Sequence, residues 1–124
     1  MRVLIVEDND TLSQAYCTIV RAIGHVVETA FDGQCGLRKL KTFQPHLVLL
    51  DMIMPSMNGV EFLDRWKSQE NPHPTKVILL TNLSYQSEVE TALQLGASEY
   101  YLKADLDPDQ LRKIIEKYEH QIAQ

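Results

Sequence analysis

The chain has 124 residues, 44% of them hydrophobic and 23% charged, with a formal net charge of -5 at pH 7. That length bounds a single domain, residues 1–124, with one modest core. The acidic balance argues against the basic patch that direct nucleic-acid binding requires. No apolar run approaches the roughly 18 residues of a membrane span, and residues 3–6 are too short for a signal-peptide core, so a soluble cytoplasmic protein is expected. Cys17 and Cys35 form no CxxC pair and read as ordinary reduced thiols.

Five short apolar or β-branched runs, at residues 3–6, 26–29, 47–50, 77–80 and 100–102, predict strands. A first helix over 10–23 places Leu12, Ala15, Tyr16, Ile19, Val20 and Ile23 on one stripe, with Gly24 as its stop. A second spans 32–43, with Leu37 and Leu40 inward and Pro45 beyond its end, and a third spans 59–68 with Phe62, Leu63 and Trp66. The loop-like cluster 69–74 follows. A fourth helix over 87–95 stops at Gly96, and the last, over 108–122, carries Leu111, Ile114, Ile115, Tyr118 and Ile122 at helical spacing, with Pro108 in its first turn. Near-continuous apolar strands alternating with helices predict an α/β fold: an open, doubly wound parallel sheet with helices on both faces. The ligand crevice of such a sheet lies at the carboxyl ends of its strands, at the topological switch point.

The residues expected at that edge are acidic. The first strand runs into Glu7-Asp8-Asn9, the third into Asp51, the fourth into Thr81 and the fifth into Lys103. Taken singly, an acid at a strand end is most often a helix cap or a solvated turn residue. Taken together, three converging carboxylates repel unless a cation or proton relieves them, and an all-oxygen cluster suits hydrated Mg²⁺. Mg²⁺ completes its shell with water and phosphate oxygens, so the cluster also reads as a phosphate site, with Lys103 and the Thr81 hydroxyl holding the remaining oxygens.

These residues carry a resemblance that covers positions 1 to about 120. Leu4-Ile5-Val6-Glu7-Asp8, then Leu49-Leu50-Asp51-Met52-Ile53-Met54-Pro55 with Gly59, then Leu79-Leu80-Thr81, and Gly96-Ala97 through Tyr100 to Lys103, resemble the CheY-like receiver domains of two-component response regulators. The resemblance implies a flavodoxin-like (βα)5 sandwich whose five-stranded parallel sheet has the order 2-1-3-4-5, with residues 1–124 as a single receiver domain. It implies Asp51 as phosphoacceptor, Asp8 as a direct Mg²⁺ ligand, Glu7 as one acting chiefly through water, and the Ile53 backbone carbonyl completing the protein's share. Thr81 and Lys103 would bind the phosphoryl group, and pairing with Mg²⁺ and Lys103 would keep Asp51 ionised at neutral pH. Thr81 and Tyr100 would form the switch pair, Tyr100 turning inward as Thr81 moves toward phosphate, while Tyr101 faces the core. The signalling surface would be the fourth helix, last strand and last helix.

Four positions depart from the family pattern. Ala104 follows Lys103 where a cis proline is usual; a cis bond without proline costs about 3–4 kcal/mol, so a trans bond or a reshaped loop is expected, which puts the reach of Lys103 in question. Asn82 stands where a small residue is usual, and its bulk would narrow access to the phosphoryl site. Ile53 and Leu83 occupy the two positions that tune phosphate loss; neither can orient water, so a long-lived phosphorylated state is expected.

The expected function is a signalling relay, phosphoryl transfer from a sensor histidine kinase or histidine phosphotransfer protein to Asp51, followed by binding to a downstream target or output domain. Such a chain catalyses only its own phosphorylation and dephosphorylation. An aspartyl-phosphate phosphohydrolase is disfavoured because that class wants an acid where Ile53 stands. A phosphorylation-independent pseudo-receiver is the alternative. Homodimerisation on phosphorylation is left open by charge and pattern. His25, His46, His73 and His120 lack ligand spacing, and Arg112, Lys113 and Lys117 alternate with Glu116 and Glu119 as a solvated helix face.

Overall fold

A computed structural model describes residues 1–68, 74–82 and 86–123. The 69–73 part of the loop cluster, with His73, and Leu83 lie outside the described residues. The chain alternates strand and helix: β1 (Arg2–Val6), α1 (Asp10–Ala22), β2 (Val26–Ala30), α2 (Gly33–Phe43), β3 (Leu47–Asp51), α3 (Gly59–Lys67), β4 (Lys76–Thr81), α4 (Gln86–Gln94), β5 (Glu99–Leu102), a 3-10 turn (Lys103–Asp105) and α5 (Pro108–Ala123). All five strands pair in parallel in the order β2-β1-β3-β4-β5. This is the flavodoxin-like topology, and its switch point falls between β1 and β3.

Strand side chains alternate between two cores. Leu4, Val6, Val48 and Leu50 face one side with Leu37, Leu40, Phe62, Leu63, Val89 and Ala92 of α2, α3 and α4. Val3, Ile5, Leu47 and Leu49 face the other with Tyr16, Val20, Leu111, Ile114, Ile115 and Tyr118 of α1 and α5. Cys17 and Cys35 are therefore on opposite faces of the sheet.

Local chemistry sets the helix boundaries. Asn9, Asp32, Asn58 and Asp107 accept hydrogen bonds from the backbone N–H groups of Leu12, Cys35, Glu61 and Gln110 at 3.0, 2.8, 2.9 and 2.7 Å. Each caps the free amides of a first helical turn. Asp32 is thus the cap of α2 and not its first residue. Gly24 and Gly96, at φ 96 and 115, end α1 and α4 in the left-handed region.

The inward stripe of α1 differs from the periodic reading. Ala15 is exposed, whereas Ser13 and Cys17 are buried with Tyr16 and Val20. The helix turns small side chains onto the sheet and leaves Leu12, Ile19 and Ile23 at the flanks of the core.

Candidate functional site

Glu7, Asp8, Asp51, Thr81 and Lys103 each stand at or just beyond a strand's carboxyl end, whereas Tyr100 lies within β5. Glu7 follows β1 and donates its N–H to the Ala30 carbonyl at 3.0 Å, which ties it to the end of β2. Asp51 closes β3, and Met52 bonds the Leu80 carbonyl of β4 at 2.9 Å, so the ladder runs to the end of the sheet. Beyond Asp51 the chain leaves the sheet, and the Ile53 N–H reaches back to Asp51 Oδ1 at 3.3 Å.

Glu7, Asp8 and Asp51 converge, each offering one carboxylate oxygen within 4.8 Å of the others. Glu7 and Asp51 are buried, while Asp8 is exposed. Lys103 enters this pocket, its Nζ 2.9 Å from Glu7 Oε1 and 2.9 Å from Asp51 Oδ1. None of the described peptide bonds is cis, so Lys103–Ala104 is trans. The chain makes a 3-10 turn over Lys103–Asp105, and Lys103 reaches both acids. Its pairing with Glu7 was not foreseen, since the two residues are 96 positions apart and no local pattern announces it.

The electrostatics follow from crowding. Burial raises the Asp51 carboxyl to about 6, the neighbouring Glu7 pushes in the same direction, and Lys103 opposes both. Burial works against the Lys103 charge, but Glu7 and Asp51 outweigh it and its pKa is raised. Lys103 thus opposes the upward push on Asp51 without cancelling it, and the net effect of the pocket without a cation is to hold the proton more tightly than an ordinary carboxylate does. Glu7 Oε2 is buried with no hydrogen-bond partner. A buried carboxylate oxygen left unpaired is costly, and a divalent cation shared with Asp8 and Asp51 would satisfy it. The all-oxygen donor set fits Mg²⁺.

The Thr81 hydroxyl, buried at the end of β4, donates to the Asn82 carbonyl at 3.0 Å. Asn82 is exposed and lines a cavity together with Thr81. Tyr100 is 44% exposed, and a cavity of about 80 Å³ lined by Thr81, Asn82, Gln86, Val89, Tyr100 and Leu102 separates it from Thr81. Tyr101 is half-buried toward the α1–α5 core, its hydroxyl donating to Glu99 Oε1 at 2.8 Å. No described helix is long and apolar enough to cross a membrane.

The family model "Response regulator receiver domain" matches residues 3–116. The chain is 34% identical over 119 residues to the chemotaxis protein CheY of Treponema pallidum, covering 94% of this chain and 78% of that protein. It is 37% identical over 90 residues to the nitrate/nitrite response regulator NarL of Escherichia coli, covering 73% of this chain and 40% of that protein. A CheY-like receiver domain protein from Methanospirillum hungatei superposes with a TM-score of 0.84 at 30% identity, over 98% of this chain and 96% of that one. The chain spans between 15% and 45% of the length of several other curated relatives. With the strand order, the acidic pocket and these matches together, the chain belongs to the response regulator receiver domain family of two-component systems.

Proposed function

We propose that this chain relays a signal by accepting a phosphoryl group on Asp51 from the phosphohistidine of a sensor histidine kinase or histidine phosphotransfer protein. The observation that carries this reading is the buried, unpartnered Glu7 Oε2 beside Asp51 and Lys103. Glu7, Asp8, Asp51 and the Ile53 carbonyl would hold Mg²⁺, which when bound supplies positive charge to the phosphoryl oxygens.

In the transfer, an Asp51 carboxylate oxygen forms the bond to phosphorus as the phosphorus–nitrogen bond of the donor breaks, and the electron pair returns to the imidazole. Such a displacement needs in-line placement and charge neutralisation more than a general base. Lys103, already 2.9 Å from Asp51, exchanges part of that contact for a phosphoryl oxygen. The Thr81 hydroxyl releases the Asn82 carbonyl and takes another oxygen. Vacating that position opens the cavity toward Tyr100, whose inward turn would bias the α4-β5-α5 surface toward a downstream target or output domain. A groove of about 430 Å³ lined by Tyr100, Tyr101, Leu102, Asp105, Leu106 and Gln110 lies on that surface. The same surface would serve a homodimer formed on phosphorylation, and the relay would operate in the cytoplasm.

Intact mass after incubation with acetyl phosphate, with and without Mg²⁺, tests the reading against Asp51→Asn. A Mg²⁺-dependent gain of one phosphoryl group, lost in the variant, supports it. No gain under any condition favours the phosphorylation-independent pseudo-receiver.

A further inference from the structure

Tyr16 is 5% exposed on the inner face of α1, in the core that also holds Leu111 and the half-buried Tyr101 and Leu106. A tyrosine buried to this degree usually finds a partner for its O–H. The Tyr16 hydroxyl makes no hydrogen bond to a described residue.

The helix sets the direction of this side chain. Side chains of an α-helix lean back toward its N-terminus, and Tyr16 stands in the second turn of a helix that begins at Asp10, just beyond Glu7 and Asp8. The phenol is thus carried toward the strand-end edge where the acidic pocket lies. The charges acting on it agree with that placement. Burial raises its pKa, Lys103 opposes the rise, and Glu7 and Asp51 add to it, so every charged group that Lys103 bridges is felt at this ring.

Lys103 has little else to hold it. The 3-10 turn that carries it has no buried residue, and Ala104 does not fix the backbone as a proline would. Leu106, three residues on, is half-buried against the same core as Tyr16, so the turn closes over the α1–α5 side of the sheet. A lysine ammonium has three N–H donors, and Glu7 Oε1 and Asp51 Oδ1 take two of them at 2.9 Å. In the proposed transfer both acids also serve the cation and the phosphoryl group, which weakens the contacts that now fix Lys103.

We propose that Tyr16 is a positioning residue for Lys103: its hydroxyl oxygen accepts the third ammonium N–H and steadies the lysine at the phosphoryl site while Glu7 and Asp51 are engaged with the cation. The role rests on the phosphoryl-transfer reading above. Tyr16 touches neither the donor nor the reacting atoms and acts only through Lys103.

The experiment is a double-mutant cycle of Tyr16→Phe and Lys103→Met, read by acetyl phosphate labelling with Mg²⁺. Tyr16→Phe keeps the ring in the core and removes only the hydroxyl. Expected is a fall of about threefold to tenfold in the labelling rate, the range of one hydrogen bond to an ion, and no further fall when the substitution is made in Lys103→Met. A second readout needs no phosphorylation. With lysine side-chain nitrogens isotope-labelled, the Lys103 Nζ resonance in Mg²⁺, identified by its absence from Lys103→Met, should shift in Tyr16→Phe. An unchanged labelling rate overturns the role, as does an equal fall in both backgrounds, the mark of a residue that serves packing alone. An unmoved Lys103 resonance overturns it too, and decides the matter alone if Lys103→Met labels too slowly to complete the cycle. No labelling of wild type under any condition sinks the phosphoryl-transfer reading, and the part of Tyr16 in that transfer with it.

Discussion

Lys103 Nζ lies 2.9 Å from Glu7 Oε1, joining residues 96 positions apart across the switch point of the sheet. The same ammonium lies 2.9 Å from Asp51 Oδ1, so one cation holds two buried acids together. Lys103→Met leaves both without a counter-charge. Because the Lys103 side chain is 18% exposed, the expected loss in chelator is about 1–3 kcal/mol. Mg²⁺ should recover most of it, and urea unfolding with EDTA and with Mg²⁺ checks this.

The raised Asp51 carboxyl gives a pH dependence of defined sign. Its folded value of about 6 exceeds the ordinary 3.8, so the folded chain holds this proton more tightly than the unfolded one. In chelator, the stability of wild type relative to Asp51→Asn should decline as pH rises from about 4 to about 6 and then level off. Divalent-ion affinity should move the opposite way, weakening as pH falls through about 6, since the ligand must be deprotonated. Urea midpoints for the pair, alongside calorimetric titration with Mg²⁺, report both trends.

Glu99 fastens α5 to β5. It accepts hydrogen bonds from Tyr101, Lys117 and Tyr118, the Lys117 contact being 2.7 Å. Burial pushes its carboxyl up, but these donors outweigh it and hold the pKa below the ordinary 4.5. Its contribution is thus present above that value and lost as pH falls through the lowered one. Glu99→Gln should cost about 1–2 kcal/mol at pH 7 and less in acid, as read by thermal unfolding at the two pH values.

Gly33 and Met57 lock the start of α2 to the loop between β3 and α3. A Cβ at Gly33 would meet Met57 Sδ at 2.5 Å and its Cβ at 3.1 Å, so rotation of the sulfur alone does not make room. Gly33→Ala should destabilise the chain by about 1–3 kcal/mol. Combined with Met57→Ala, the loss should be less than the sum of the two single variants.

Under the proposed phosphoryl relay, Ile53 bears on the lifetime of the phosphorylated state. Its side chain is apolar and 39% exposed beside Asp51, so it offers no hydrogen bond to an attacking water. The phosphorylated chain should persist well beyond seconds without a phosphatase, and Ile53→Asn should shorten its half-life severalfold. Phosphoryl loss followed by intact mass measures both.

Much of this molecule is legible in one dimension. The β-branched and leucine runs of β1, β3 and β4 are short, unbroken and separated by helical spacing, which in a protein of this length leaves few arrangements besides a covered parallel sheet. Asp51, Thr81 and Lys103 were identifiable because each terminates such a run, and the carboxyl ends of parallel strands all meet one edge. The helix N-caps Asn9, Asp32 and Asn58 stand in the sequence in the same sense, as short polar side chains just before periodic segments.

Other features required the third dimension, because they depend on distance between segments remote in the chain. Periodicity put Ala15 inside and left Ser13 out, since it registers hydrophobicity and not how closely a helix can approach a sheet. The histidines looked featureless, yet His25 is buried, its Nδ1 2.9 Å from the Met1 amine and its Nε2 3.2 Å from Glu119. The bridging of Glu7 and Asp51 by Lys103, the unpaired Glu7 oxygen and the exposure of Phe31 likewise follow from burial and convergence, which no residue type specifies alone. Local spacing determined which elements form and which residues end them; only packing decided which charges meet, which atom stays unpaired and which side chains remain open to water.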